Sequence, residues 1–179
     1  GRDAEQRTAH LAVDHPDVVE RYRHGRTMLG EVDGAAGTEN LRPFRRDCIE
    51  AANLLEEMTK PVVAQIHGAC LGLEAELALA CDLRVMADDV KFGLPETKLG
   101  LIPATISPYV IEAIGARQAR RYFLTGERFT AAEAYRIGLL HDIAPLAELD
   151  TRVNETLRAL MAAGPAAQFE CKALIRGVA

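Results

Sequence analysis

The run Val62-Val63-Ala64-Gln65-Ile66 is fenced by Lys60-Pro61 on one side and His67-Gly68 on the other. A short β-branched, apolar segment between such breakers reads as a buried strand. A buried strand has to be covered, and the chain supplies helices on both sides of this one. Upstream, Leu41, Phe44, Cys48, Ala51, Leu55 and Met58 recur at three- and four-residue steps, the apolar face of an amphipathic helix. Asn40 is placed to cap that helix, and Pro43 falls in its first turn. Downstream, a turn over His67–Glu76 leads into an Ala/Leu-rich stretch from Leu77 to Cys81, and Asp82 to Met86 reads as the next strand. Alternation of short apolar runs with helical patterns predicts an α/β fold.

Later segments extend the pattern. Phe92-Gly-Leu-Pro-Glu96 is read as a short extended piece with a loop behind it. Ser107-Pro108 has the form of an N-cap and first helical residue, with Gly115 as the matching stop. Thr130-Ala-Ala-Glu133 is a capping box, opening a helix that ends at Gly138. Leu146, Leu149, Val153, Leu157 and Leu160 mark a long amphipathic helix closed by Gly164-Pro165. The front is least patterned. Pro16 is placed to open a helix that Gly25 interrupts, and Gly30 to Gly37 is a loop by its glycine density.

Composition removes several classes of function. With 179 residues, one domain is expected. Twenty-one basic residues stand against 26 acidic ones, for a net charge of -5. No Lys/Arg run offers a footprint for nucleic acid or an anionic membrane. No apolar run approaches the roughly 18 residues of a membrane helix, and Gly1 to His10 lack the apolar core of a signal peptide. Cys48, Cys70, Cys81 and Cys171 show no paired spacing, so buried thiols in a reducing cytoplasm are expected rather than disulfides or zinc. The histidines show no metal-ligand spacing.

Two carboxylates are candidates for chemistry. Glu76 follows the buried strand and its turn at the start of the next helix, and Glu96 follows Pro95 before the loop Leu99-Gly-Leu-Ile-Pro103. Both have apolar flanks. A partly desolvated pair can divide into an acid and a base, suited to moving water or a proton about an activated carbon. Spacing alone favours a plainer role, a solvated glutamate stabilised by the helix dipole. The turn at Gly72 also sets a helix N-terminus, with free backbone N–H groups, in front of whatever binds there.

Sequence context changes the balance. Lys60-Pro-Val-Val-Ala-Gln-Ile-His-Gly68, Glu76-Leu-Ala-Leu-Ala-Cys-Asp-Leu-Arg84 and Lys91-Phe-Gly-Leu-Pro-Glu-Thr-Lys-Leu-Gly-Leu-Ile-Pro103 resemble the crotonase (enoyl-CoA hydratase/isomerase) superfamily. Arg120-Arg-Tyr-Phe-Leu-Thr-Gly126 and Ala131-Ala-Glu-Ala-Tyr-Arg-Ile-Gly-Leu139 continue the resemblance, which covers about residues 38–177. The segment Ala104-Thr-Ile-Ser-Pro-Tyr109 is similar to the branch of methylglutaconyl- and isohexenylglutaconyl-CoA hydratases.

The resemblance implies a spiral of ββα turns binding an acyl-CoA thioester as substrate, with no separate cofactor and no metal. It puts Glu76 and Glu96 on the two catalytic glutamates and the amide of Leu73 in the oxyanion hole. Gly72, Leu94, Pro95, Ala104 and Thr105 fall at substrate-binding positions. A homo-oligomer, a trimer or dimer of trimers, is implied, and nucleic acid and membrane are not expected partners. Residues 1–37 form a divergent or incomplete N-terminal segment, and 38–179 the acyl-CoA-binding core with its following helices. The chain is short for the fold at both ends.

Departures from the pattern qualify the activity. The family's glycine triplet reads Gly72-Leu73-Glu74, and a leucine forced to positive φ there is strained. Glu74 adds a negative charge close to a forming enolate. The early motif that supplies a second oxyanion donor is absent from residues 1–37. Hydration is the leading expectation, with double-bond isomerisation and non-catalytic acyl-CoA binding as alternatives.

Overall fold

A computed structural model describes residues 10–12, 41–68, 70–71 and 73–178. The helix expected after Pro16, the loop 30–37 and the Asn40 cap lie outside these residues, as do Gly72 and the side chains of Leu73 and Glu74. Strand β1 (His10–Ala12) comes first, then helix α1 (Leu41–Glu57), which stops short of Lys60-Pro61. Strand β2 (Val63–Ile66) follows the proline, as its β-branched run predicts.

From β2 onward the chain steps between two sheets. After β2 come β3 (Cys70–Leu71) and helix α2 (Leu73–Leu79). The next turn repeats the order: β4 (Leu83–Ala87), β5 (Lys91–Gly93), a 3-10 turn (Pro95–Leu99) and helix α3 (Ser107–Thr125). Strand β6 (Arg128–Thr130), helix α4 (Ala131–Arg136), β7 (Asp142–Ala144) and a 3-10 turn (Leu146–Glu148) lead to α5 (Leu149–Met161) and α6 (Pro165–Val178). One sheet has the order β1-β2-β4-β7 and the other β3-β5-β6. In the first, β2, β4 and β7 are parallel and β1 is antiparallel to β2. In the second, β3 is parallel to β5, and β6 antiparallel. The two strand–strand–helix turns form the ββα spiral that the resemblance implies.

The core lies between the sheets and their helices. Leu55, Val63, Ile66, Met86, Phe92, Leu94 and Tyr122 are almost fully buried. Phe92 and Phe129 meet as tilted rings across β5 and β6 at 5.4 Å, and Tyr122 meets Phe129 at 4.1 Å between centroids. Thr130 caps α4 as its box predicts, accepting from the amide of Glu133 at 3.2 Å. The Glu133 carboxylate does not reach back to complete the box; it accepts from the Tyr122 hydroxyl at 2.7 Å and from Arg136.

Several local expectations are corrected. Gly115 (φ 71, ψ 157) breaks α3 without ending it, because the chain resumes helix at once. Ser107 is helical rather than capping, and its hydroxyl donates to the Ala104 carbonyl at 3.0 Å. The extended reading holds for Phe92 but not for Pro95 and Glu96, which form the 3-10 turn. Proline in the first turn favours this, since its φ is already set for helix. Cys70 and Cys81 are buried thiols as expected, whereas Cys171 is exposed on α6. Helix α6 extends beyond Gly164-Pro165, where the apolar pattern had suggested only a stop. Among the described residues, no helix is long and apolar enough to cross a membrane.

Candidate active site

Strands β3 and β5 run parallel, with Leu71 opposite Gly93. Their C-terminal ends therefore lie side by side, the edge at which α/β sheets present ligand sites. Five residues beyond Leu71 comes Glu76, and three beyond Gly93 comes Glu96. The pairing of two short strands thus brings together the beginnings of the two segments that carry these glutamates, which stand twenty residues apart in the chain. Leu73 is the first residue of α2. A first helical position suits any L-residue, so the positive φ feared for this leucine does not arise there.

Glu76 is not the solvated glutamate that spacing alone favours. It is 5% exposed, within a helix whose Ala75, Leu77, Ala78 and Leu79 are also buried. Residues 75–79 span more than a full turn, so this part of the helix is enclosed on every side and the carboxylate goes in with it. Burying a carboxylate is costly unless donors meet it. Thr105, in the turn before α3, donates its hydroxyl to Oε2 of Glu76 at 3.0 Å. Tyr109, one turn further on, is half-buried, and its phenol is pushed up to about 12, by burial first and then by the charges of Glu56 and Glu76. It stays a protonated donor and hydrogen-bonds Glu56, a carboxyl raised mainly by its own burial.

Glu96 is held differently. Leu94 is buried and anchors the N-terminal end of the 3-10 turn; Pro95 starts it. The carbonyl of Glu96 accepts from the Leu101 amide at 2.9 Å, which closes the turn. Oε2 of Glu96 is shielded from solvent with no hydrogen-bond partner among the described residues. A shielded oxygen without a protein donor is uncommon in a folded protein, and a place for water or substrate is one explanation for it. The turn is braced from outside by the end of α3. Gly126 (φ 56) lies so close that a Cβ there would meet Thr97 Oγ1 at 3.0 Å.

Pro95 is half-buried beside Glu96, and Ala104 is exposed beside Thr105. The structure thus puts Leu94, Pro95, Ala104 and Thr105 on the connector between β5 and α3. Thr105 is the one that reaches a glutamate through a hydrogen bond. Nothing in the local spacing marks that bond, nor the hydrogen bond between Tyr109 and Glu56. An open cleft of about 630 Å³ lies elsewhere, at the N-terminal end of β4 under α6, lined by Arg84, Glu112, His141 and Lys172 among others. Neither Glu76 nor Glu96 lines it. Glu112 faces that cleft, and Arg121 of α3 pairs with Glu127 at 2.6 Å.

Comparison with known proteins gives this arrangement relatives. The enoyl-CoA hydratase/isomerase family model matches residues 31–177. The Bacillus subtilis (strain 168) protein YngF, which carries the designation enoyl-CoA hydratase/isomerase, is 40% identical over 68% of this chain and 47% of its own length. The fatty acid oxidation complex subunit alpha of Idiomarina loihiensis is 36% identical over 73% of this chain and 19% of its own. The crystal structure of an enoyl-CoA hydratase from Shewanella pealeana is similar with a TM-score of 0.73 at 33% identity, covering 81% of this chain and 54% of that one. An enoyl-CoA hydratase from Bacillus anthracis shares the fold at a TM-score of 0.79 and 22% identity, over 95% and 83% of the two chains. The chain spans about half, or less, of the curated relatives' length.

Proposed function

Because the chain belongs to the enoyl-CoA hydratase/isomerase family, we propose that it adds water across the α,β double bond of an unsaturated acyl-CoA, or removes it in reverse. The observation that carries this reading is the unequal pair at the ends of β3 and β5. Glu76 is 5% exposed and takes the Thr105 hydroxyl at Oε2, whereas Glu96 is only half-buried on its 3-10 turn; each has an oxygen shielded from solvent. Isomerisation can run on one carboxylate that shuttles a proton, so two carboxylates in unlike settings favour hydration.

In the proposed reaction, Glu76 orients a water and takes one of its protons as the water oxygen bonds to Cβ. Glu96 delivers its own proton to Cα, and transfer of a proton from Glu76 back to Glu96 through solvent restores the pair. Negative charge passes through the thioester oxygen, where the Leu73 amide at the head of α2 acts as a donor. Hydration is redox-neutral, so water is the one co-substrate it needs. Leu94, Pro95 and Ala104 form the neighbouring substrate wall. The resemblance of Ala104–Tyr109 to the glutaconyl-CoA branch supports a branched acyl group. Exposed apolar residues on α6, among them Leu174, Ile175 and Val178, support assembly of several copies.

Glu76→Gln and Glu96→Gln preserve size and most hydrogen bonding while removing the ionisable group. Each is expected to slow hydration of a crotonyl-type thioester by about 10²–10⁴-fold. Loss of the conjugated thioester's absorbance follows the reaction. Parent rates in both variants would overturn the assignment. Solvent-deuterium incorporation without net addition of water would replace hydration by isomerisation.

A further inference from the structure

We infer that Thr105 is a positioning residue for Glu76, an inference that rests on the hydration reading. Its hydroxyl donates to Oε2 at 3.0 Å across 29 residues of chain. A glutamate side chain turns about three bonds, and burial alone does not choose among the rotamers that fit. A fixed donor does. A misplacement of about 1 Å in such a group is enough to cost roughly 10²-fold in rate.

Thr105 is itself firmly held. Pro103 and Ile106, on either side of it, are buried. The Ala104 amide bonds the Ile102 carbonyl at 2.8 Å, the Ser107 amide bonds the Pro103 carbonyl at 3.0 Å, and the Ser107 hydroxyl bonds the Ala104 carbonyl at 3.0 Å. A β-branched side chain on such a backbone has few χ1 choices. The same connector carries Glu96 on its first turn and Thr105 on its last. One segment therefore supplies one glutamate directly and sets the other through a hydroxyl. The separation of the two carboxylates then depends on this connector rather than on the packing of α2 alone.

The test compares Thr105→Val, Thr105→Ser and the parent in steady-state hydration of a crotonyl-type thioester. Val keeps the branched shape and removes the donor, so kcat is expected to fall about 10- to 100-fold at nearly constant KM. Ser keeps the donor and is expected to restore most of kcat. Should the valine variant fail to fold, Thr105→Ala makes the same comparison. A hydroxyl that acts through Glu76 adds little once that carboxylate is gone, so Glu76→Gln with Thr105→Val is expected to be no slower than Glu76→Gln alone. A parent-like kcat in the valine variant overturns the inference, as does a serine variant as slow as valine or a loss confined to KM. A parent without turnover on enoyl-CoAs overturns the hydration reading first, and this inference with it.

Discussion

Lys172 holds helix α6 to the body of the protein, and its removal should loosen that helix before anything else. Its ammonium donates to Oδ2 of Asp82 at 2.7 Å and to the Lys60 carbonyl at 3.3 Å. The same Asp82 oxygen accepts from the Val62 amide at 2.7 Å, so one carboxylate ties α6 to the entrance of β2. The other ties of α6 are hydrogen bonds from Gln168 to the Leu160 carbonyl at 2.7 Å and from Arg176 to the Glu56 carbonyl at 2.8 Å, while Leu174, Ile175 and Val178 remain exposed. Breaking a fully buried pair from one side costs about 3–5 kcal/mol. Asp82 is 29% exposed and keeps its bond from Val62, so Lys172→Met is expected to cost less, about 1–3 kcal/mol. That range corresponds to roughly 5- to 150-fold in an opening equilibrium. Amide hydrogen exchange, read segment by segment, should show α6 exchanging faster by that factor while β2 and β4 keep their protection. Asp82→Asn should loosen the same helix, because it leaves a buried ammonium without its counter-charge. Unchanged exchange in α6, or a loss shared equally by β2 and β4, would refute the reasoning.

Two further expectations concern pH and the site's bracing. The Arg136 hydrogen bonds, and next the Tyr122 hydroxyl, hold the Glu133 carboxyl down at about 2, against an ordinary 4.5. A depressed carboxyl stabilises the fold fully above its unfolded value and loses that contribution as pH falls through the folded one. Urea midpoints should therefore show the parent more stable than Glu133→Gln at pH 5, with the gap closing toward pH 2. Gly126→Ala places a side chain at φ 56, with its Cβ 3.0 Å from Thr97 Oγ1. The left-handed backbone alone costs about 1–2 kcal/mol, roughly 2–8 °C in Tm for a chain of this size. Because Thr97 lies in the turn that carries Glu96, kcat should fall as well; an unchanged Tm and kcat would show that this brace does not matter.

Much of the fold was legible because its signals are local. The β-branched run at Val62–Ile66, the three- and four-residue spacing of α1 and the capping box at Thr130 each act within a turn or two of the backbone. The signals misread were those that tertiary packing overrides. Gly115 looks like a helix end, yet α3 resumes because its second half, with Ala119 and Tyr122, has a core to pack against. The short β3 and β5 carry too few residues to show a period, and β1 lies in the least patterned stretch. Cys171, expected to be buried, stands between Glu170 and Lys172 in sequence, and its face of α6 meets solvent.

The candidate site divides in the same way. Residue types and spacing, with the family resemblance, were enough to single out Glu76, Glu96 and the Leu73 amide, but they put the helix start at Glu76, whereas α2 begins at Leu73. Whether Glu76 would be a solvated helix-start residue or a buried one depended on what covers α2, and that is a matter of contacts between distant segments. Only the tertiary structure decided that it is buried, that Thr105 meets it 29 residues along the chain, and that an oxygen of Glu96 is shielded with no partner among the described residues. Backbone propensities and apolar periods act over a few residues and are written into the sequence. Desolvation and hydrogen-bond partnership are set by whichever segments the fold brings together, and these turn two ordinary glutamates into an unequal pair.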